Sequence, residues 1–316
     1  MNYLKPSDLK AILHSKRANL FYLEHCRVMQ KDGRILYLTE TKYENQYYNI
    51  PIANTTCILL GSGTSITQAA MRMLSAAGVL VGFCGGGATP LFSGTQIEWL
   101  TPQNEYRPTE YVQNWLSFWF DEQKRLTIAK IVQQKRIEFI QKVWSKDTQL
   151  KEIGFDVNNL DIVNILELFI QKITTATCAN ELLLSEAAMT KQFYKFASNR
   201  LGLMFVRDPE AGDCANNFLN HGNYLAYGLA TTTLWVLGIP HGFAVMHGKT
   251  RRGALVFDVA DLIKDAIVLP WAFVCVKDGF SEQEFRQKLL QKFTEYKALD
   301  YMFEQVKSAS QYFNGD

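Results

Sequence analysis

The sequence TPQNEYRPT, residues 101–109, separates two stretches of different character and thereby decides the architecture of the chain. It is polar and contains two prolines, a composition typical of linkers between domains. With 316 residues the chain is long enough for two ordinary domains, each with its own core. We therefore predict a first domain over residues 1–100, a linker over residues 101–109 and a second domain over residues 110–316.

Upstream of the linker, short β-prone runs alternate with turn signals. Residues 19–29 and 34–39 flank Lys31-Asp32-Gly33, which predicts a β-hairpin. Three further runs predict strands: residues 47–52, 56–60 and 79–83. Between the last two, residues 65–77 have helical periodicity. The first domain is thus predicted to be β-rich with one inserted helix.

Downstream of the linker, apolar residues recur at helical spacing. This pattern predicts four long helices, over residues 111–143, 160–174, 178–198 and 282–307. The second domain is therefore predicted to be all-α and larger than the first. Together the two domains give an α+β chain.

Cysteine usage and hydropathy narrow the class of protein. The six cysteines are scattered without a C-x-x-C pair, which favours reduced thiols over a zinc site or a disulfide framework. No apolar run reaches the roughly 18 residues that a membrane span needs. Charges lie throughout the first residues, so we expect no signal peptide and a cytoplasmic protein without membrane contact. The net charge of +2 neither demands nor excludes a polyanionic partner.

Glu186 interrupts an apolar stripe. In CANELLLSEAAMTKQFYKFAS, residues 178–198, it follows Leu182 by four positions and precedes Met189 by three. A carboxylate on such a face is costly unless it is paired, hydrogen-bonded or bound to a metal. In the alternative interpretation, Glu186 lies at the edge of the apolar stripe and its carboxylate reaches water.

A second group of polar residues lies in GIPHGFAVMHGKTRRGALVFDVADLIKDAIVLP, residues 238–270. Asp258 and Asp261 share one helix face, where their repulsion calls for a cation or for water. His247 lies just upstream; for His241 a core position is the favoured interpretation. Carboxylate oxygens with one imidazole suit Mg²⁺ or Mn²⁺ better than zinc. A solvated acidic face is the alternative for the aspartates alone.

Basic side chains near these motifs are candidates for phosphate contacts. They lie on the helix of Glu186, in the loop before Asp258, and on a basic helix over residues 124–146. The candidate DNA-binding residues are Lys191, Lys195, Lys249, Arg251, Arg252, Lys124, Arg125, Lys135 and Arg136. An ordinary solvated or partner-facing helix surface is the alternative in each case.

The amide-rich segment NNFLNHGNYLAY, residues 216–227, opens an apolar helix. Its side chains are candidates for contacts with phosphates or bases. Helix capping by Asn216, Asn217 or Asn220 explains them equally well.

In their order along the chain, these motifs resemble a known family. They are L-L-x-x-E-A around Glu186, LNHGNYLAYGL at residues 219–229, GIPHGFAVMH at residues 238–247, and D-V-A-D-L-I from Asp258. This combination resembles the CRISPR-associated adaptation integrase and endonuclease, the universal first Cas protein. The segment GSGTSITQAAMRMLSAAGVLVGFCGGGATPLFSG, residues 61–94, is similar to the type I-F branch.

The resemblance implies a sandwich-like first domain that mediates homodimerisation, and a catalytic helical domain. It implies that Glu186, His247 and Asp261 bind Mg²⁺ or Mn²⁺, and that Asp258 belongs to the catalytic group beside them. Lys264 departs from the family pattern, since many relatives carry an acidic residue there. The role of Asp265 therefore stays open.

The implied activity is metal-dependent phosphodiester chemistry on double-stranded DNA. The 3′-hydroxyl ends of captured foreign fragments would be joined to the CRISPR repeat by transesterification. The implied partner is the second Cas protein, as its fusion with the interference helicase-nuclease. Two other functions stay open: a non-catalytic DNA-binding scaffold, and a nuclease that cleaves branched DNA without integrating it.

Overall fold

The computed structural model describes residues 19–40, 45–85, 97–100, 109–210, 212–248 and 253–313. The chain divides into two compact units, Met1–Pro108 and Thr109–Asp316. Among the residues just named, the first unit contains the strands and one α-helix, and the second is helical. The predicted α+β class, with a β-rich region before a larger helical one, is therefore confirmed.

Two sheets form among the described residues of the first unit. One has the order β1-β5-β7-β8, with the first three strands parallel and β8 antiparallel at the edge. The other has the order β4-β3-β2-β6. The strands are β1 (Asn19–Leu23), β2 (Arg27–Lys31), β3 (Arg34–Glu40), β4 (Asn45–Ile50), β5 (Thr55–Leu60), β6 (Ser65–Ile66), β7 (Leu80–Phe83) and β8 (Glu98–Leu100).

The predicted hairpin joins β2 and β3. Asp32 and Gly33 both have positive φ, as a two-residue turn between twisted strands requires, and Lys31 pairs with Arg34. The single strand that the run of residues 19–29 suggested is wrong. His25, with φ of 48°, lies between the end of β1 at Leu23 and the start of β2 at Arg27, and β2 belongs to the other sheet.

Residues from both sheets and from α1 (Gln68–Ala76) share one apolar core. Val28 and Ile35 of the second sheet, Ile58 and Val81 of the first, and Leu74 of α1 are all buried in it. The helix begins later than the sequence predicts, because Ser65–Ile66 pairs with β2 as a strand. The side chain of its N-cap, Thr67, accepts a hydrogen bond from the Ala70 amide.

The described residues of the second unit form helices joined by loops of different lengths. Its helices are α2 (Glu110–Trp119), α3 (Glu122–Trp144), α4 (Thr148–Glu152), α5 (Leu160–Thr175), α6 (Ala179–Leu201), α7 (Cys214–Leu237), α8 (Ala254–Ile263), α9 (Leu269–Lys277), α10 (Glu282–Glu295) and α11 (Ala298–Gln311). A π-helical turn, Lys264–Val268, joins α8 to α9. Among the described residues, no helix is long and apolar enough to cross a membrane.

Two of the predicted long helices are each broken in two. The helix predicted over residues 111–143 is interrupted before α3, where Asp121 accepts hydrogen bonds from the Gln123 and Lys124 amides as an N-cap. The helix predicted over residues 282–307 is interrupted at Lys297, which has a φ of 52°. Helical periodicity continues across both breaks, so periodicity alone did not reveal them.

The segment from α8 to α9 runs through the core of the second unit. Every residue from Ala254 to Cys275 is buried except Lys264. Pro270 has no N–H to donate to the carbonyl four residues back, that of Ala266. The indole of Trp144 on α3 donates to this carbonyl at 3.0 Å instead. This contact fixes α3 against the π-helical turn, a kind of turn that is frequent at functional sites.

Candidate metal centre

Asp258 on α8 organises the loop that carries His247. Its Oδ2 accepts the amide protons of Val245 and Met246 at 2.7 and 3.1 Å, and its Oδ1 accepts that of His247 at 3.1 Å. The residue is 2% exposed. Both oxygens are therefore engaged with the loop, which assigns Asp258 a positioning role.

The same carboxylate orients the imidazole. His247 Nδ1 lies 2.7 Å from Asp258 Oδ1, which leaves Nε2 on the side of Asp261, 3.9 Å from its Oδ2. A carboxylate behind an imidazole is the usual support of a metal-binding histidine. Burial opposes the charged form of His247, but the hydrogen bond to Asp258 and the charge of Asp261 raise its pKa above the usual value.

Arg136 on α3 lies beneath the carboxylates and is 1% exposed. Its Nε donates to Asp265 Oδ2 at 2.7 Å, and its Nη2 contacts the same oxygen and Glu186 Oε1, the latter at 3.0 Å. Its Nη1 lies 3.6 Å from Asp261 Oδ2. Burial opposes the charge, but Asp265, Glu186 and Asp261 together raise the pKa of Arg136. The prediction that Arg136 contacts DNA is therefore wrong, because three carboxylates enclose it.

Asp261 is a buried carboxylate of this cluster. It is 1% exposed, and no described residue donates a hydrogen bond to its Oδ2. Lys264 Nζ lies 2.5 Å from Oδ1 as an ion pair. Burial alone would raise the pKa of Asp261, but Lys264 and Arg136 lower it. The carboxylate is thus ionised and buried, and its Oδ2 lacks a donor.

The side chains of Glu186, Asp261 and His247 are donors of the kind that a divalent cation binds. Two carboxylates, Glu186 and Asp261, and one imidazole suit Mg²⁺ or Mn²⁺, and the Asp261 oxygens have capacity for a further cation. Among the described residues, however, no three His, Cys, Asp or Glu side chains are close enough together to hold a metal ion. Arg136 and Lys264 hold the carboxylates instead. The donors fit the ion in kind, and binding it requires these side chains to draw together.

A cavity of about 40 Å³ adjoins the cluster. Its walls include Glu186, Thr190 and Tyr194 of α6, Asn223 of α7, and Lys264. The volume suits one or two water molecules or the oxygens of a phosphate group. Thr190 and Tyr194 were not predicted from the sequence, although they follow Glu186 by four and eight positions on one helix face.

The amide-rich segment at the start of α7 holds a loop in place. The N-cap of α7 is Asp213, which accepts the Asn216 amide proton at 3.0 Å, so the alternative interpretation, capping by an asparagine, is wrong. Asn216 is fully buried, and its side chain donates to the Val206 carbonyl at 2.9 Å. Asn220 donates to the Pro209 carbonyl at 2.9 Å.

Most of the predicted DNA-binding residues on α3 already have partners. Lys124 lies over the Phe313 ring, Arg125 donates to the Trp119 carbonyl at 2.8 Å, and Lys135 pairs with Glu138 at 2.8 Å. On α6, Lys191 and Lys195 are exposed. The predicted contacts Lys249, Arg251 and Arg252 lie outside the described residues.

Comparisons with known proteins identify the family. Residues 20–304 match the model of the family described as CRISPR associated protein Cas1. A protein of Pseudomonas aeruginosa (strain UCBPP-PA14) named CRISPR-associated endonuclease Cas1 is 54% identical, over 98% of each chain. A protein of Pectobacterium atrosepticum with the same name is 53% identical, over 95% of this chain and 94% of the relative. The resemblance inferred from the sequence motifs is thereby confirmed.

Solved structures of the same fold agree with this assignment. A TtCas1–DNA complex superposes with a TM-score of 0.63 at 20% identity, over 92% of this chain and 91% of that one. A casposase bound to its integration product gives a TM-score of 0.67 at 16% identity, with coverages of 94% and 91%. A partial Cas6-RT-Cas1–Cas2 complex gives 0.64 at 13% identity, with coverages of 94% and 96%. At these identities the likeness concerns the fold.

Proposed function

The chain belongs to the Cas1 family of CRISPR-associated proteins, and on that premise we propose that this nuclease is a metal-dependent DNA integrase. It joins the 3′-hydroxyl ends of captured foreign fragments to the CRISPR repeat by transesterification. The observation that carries the proposal is Asp261, buried and ionised, whose Oδ2 lacks a hydrogen-bond donor and lies 3.9 Å from His247 Nε2.

Glu186, His247 and Asp261 would hold the ion, Mg²⁺ or Mn²⁺. When bound, such an ion polarises the scissile phosphate and offsets the negative charge that develops there. The protein's own groups set up the site: Asp258 orients His247, and Arg136 holds Glu186. Lys264 lines the cavity beside Glu186 and pairs with Asp261 Oδ1.

The exchange needs no covalent enzyme intermediate. The 3′-oxygen of the fragment forms a bond to a repeat phosphorus as it loses its proton. The bond from that phosphorus to the neighbouring 3′-oxygen breaks, and the departing oxygen gains a proton. One phosphodiester replaces another. Water in place of the fragment's hydroxyl gives plain cleavage, so one site serves both reactions.

The names of similar proteins support both parts of this proposal, cleavage and joining of DNA. Two relatives more than 50% identical are named endonucleases. Among proteins of the same fold, one was solved with DNA and another, the casposase, with its integration product. A chain with this fold therefore accommodates both cleavage and joining of DNA.

A gel assay with branched DNA and with 3′-hydroxyl fragments plus a repeat duplex tests the proposal, each with and without Mn²⁺. We expect Mn²⁺-dependent joining by the wild type and by Glu167→Gln, a control on the exposed face of α5. Glu186→Gln should bind DNA without joining it. Unchanged joining by Glu186→Gln would refute the proposal. Cleavage without joining would indicate a plain nuclease, and Mn²⁺-insensitive binding alone a scaffold.

The partners follow from the same premise. We propose homodimerisation through the first unit, and association with the second Cas protein in its fusion with the interference helicase-nuclease. The likeness to a chain from a Cas1–Cas2-containing complex supports the second point. Light scattering of the purified chain should give twice the mass of one chain. A monomer at micromolar concentration would contradict the first point, and failure of the purified fusion protein to co-elute would contradict the second.

A further inference from the structure

Arg207 lies in the loop between α6 and α7, and neutral groups hold its guanidinium. Nη1 donates to Asn216 Oδ1 at 2.8 Å, and Nη2 donates to Asn220 Oδ1 at 2.7 Å. The side chain is therefore fixed in position by two amides.

None of the described carboxylates forms an ion pair with Arg207. The two nearest along the chain have other partners: Asp208 Oδ1 accepts the Glu210 amide proton, and Asp213 Oδ2 accepts from Asn216 Nδ2 at 2.6 Å. A half-buried cation whose charge is not offset costs free energy that an incoming anion would recover. Arg207 thus differs from Arg136, which three carboxylates surround.

The buried Asn216 amide that holds Arg207 has one defined orientation. Asn216 is fully buried, and its Oδ1 accepts from Arg207 and from the Asp208 amide while its Nδ2 donates to Val206 and Asp213. This pattern admits only one orientation of the amide group. A guanidinium has five N–H donors. After Asn216 and Asn220 have taken one each, three remain for a ligand.

The location links Arg207 to the metal centre. Tyr194 lines the cavity together with Glu186 and Lys264. Its ring packs on Phe205, two residues before Arg207, with ring centroids 5.4 Å apart. The loop that carries Arg207 therefore packs against the cavity wall at Tyr194.

We propose that Arg207 binds a phosphodiester group of the DNA strand, next to the phosphate that reacts at the metal centre. The inference rests on the proposed function and adds a strand-binding position to it. Two free donors on a planar guanidinium suit two oxygens of one phosphate. The contact binds the backbone, so it adds affinity without reading sequence.

Salt dependence of DNA binding tests this position. Fluorescence anisotropy in EDTA measures the affinity of a duplex with 3′ overhangs at several salt concentrations. We expect Arg207→Gln, which retains donors for the amides but lacks the charge, to reduce the slope of log K against log salt by ~1. Arg207→Lys should retain the slope.

Arg200→Gln is the matched control. Arg200 lies near the end of α6, is exposed, and is likewise tethered by a neutral acceptor, the Ile153 carbonyl, at 3.3 Å. We expect its slope to equal that of the wild type. An unchanged slope in Arg207→Gln, or an equal loss in Arg200→Gln, would overturn the proposal. Loss of thermal stability in Arg207→Gln without a change of slope would also overturn it, since Arg207 would then only tie the loop.

The outcome is separable from that of the proposed function. Binding in EDTA requires neither metal nor joining, so Arg207 is tested even if the protein does not integrate DNA. Joining by the wild type together with an unchanged slope in Arg207→Gln would support the proposed function and refute the phosphate contact of Arg207.

Discussion

Two arginines, Arg136 in the cavity wall and Arg207 in the loop between α6 and α7, have opposite surroundings. Arg136 is buried among Asp265, Glu186 and Asp261, so its charge is neutralised inside the protein. Arg207 is held by two neutral amides, so its charge remains for a ligand. The partners of a basic residue, rather than its presence near a site, thus decide whether its charge is available to a ligand.

The largest effect is expected from Arg136→Met. It leaves the buried carboxylates of Asp265 and Asp261 without their arginine and should lower the free energy of unfolding by about 3–5 kcal/mol. Arg207→Met, the paired variant, loses hydrogen bonds to neutral groups and should cost roughly 1–2 kcal/mol. Urea unfolding followed by circular dichroism measures both. Equal losses in the two variants would abolish the distinction between the arginines.

Asp258→Asn comes next. The amide can no longer hold the loop of residues 245–247 and orient His247 as the carboxylate does. Mn²⁺ binding should weaken about 10–100-fold. Asp278→Asn, at an exposed position, is the control and should bind as the wild type does. Calorimetric titration with Mn²⁺ measures the change, and unaltered affinity in Asp258→Asn would remove its positioning role.

Asn220→Asp would give Arg207 a carboxylate partner of the kind that surrounds Arg136. The new carboxylate would occupy the position from which Asn220 Oδ1 now accepts at 2.7 Å, and would offset the guanidinium charge. We expect the salt slope of DNA binding to fall by ~1, as in Arg207→Gln. Asn217→Asp adds the same charge at an amide that donates to the Gly212 carbonyl, and should change the slope less. Equal changes of slope in the two variants would indicate that any added negative charge on this surface repels DNA.

The smallest effect concerns His241, a basic residue that is neutral in the fold. Burial lowers its pKa below the usual value of 6.5. Because its folded-state pKa is lowered, its stability contribution is present above about pH 6.5 and is lost as the pH falls through the folded value. The unfolding midpoint of the wild type should therefore decrease more on acidification than that of His241→Gln. Parallel decreases in differential scanning calorimetry would contradict this.

Local sequence signals predicted much of the fold. Lys31-Asp32-Gly33 located a hairpin because positive φ at both turn positions has a strong residue preference. Periodicity located α5 and α6 nearly to their ends. It did not reveal the break before α3 or the one at Lys297, because the apolar spacing continues across them. The Asp121 N-cap was a signal for the first break; Lys297 offers none, since it is neither glycine nor asparagine.

The sequence pointed to candidate site residues, which stay predictions as metal ligands, but only in part to their contacts. Glu186, His247 and Asp261 were singled out because each is a polar side chain in an apolar context. The burial of Arg136 could not, since basic residues occur all around α3 and no single face is marked as inner. Asp265, four positions after Asp261 in a buried segment, was the signal that an internal cation was needed. Its partner lies 129 positions away along the chain.

Metal binding by the carboxylate cluster is the central claim, and Mn²⁺ titration tests it most directly. Electron paramagnetic resonance of free Mn²⁺ gives the number of ions bound by the wild type, Asp261→Asn and Asp278→Asn. We predict one ion per chain in the wild type and in Asp278→Asn, and loss of that ion in Asp261→Asn while the far-ultraviolet circular dichroism is unchanged. Equal Mn²⁺ binding by Asp261→Asn and the wild type would contradict the account.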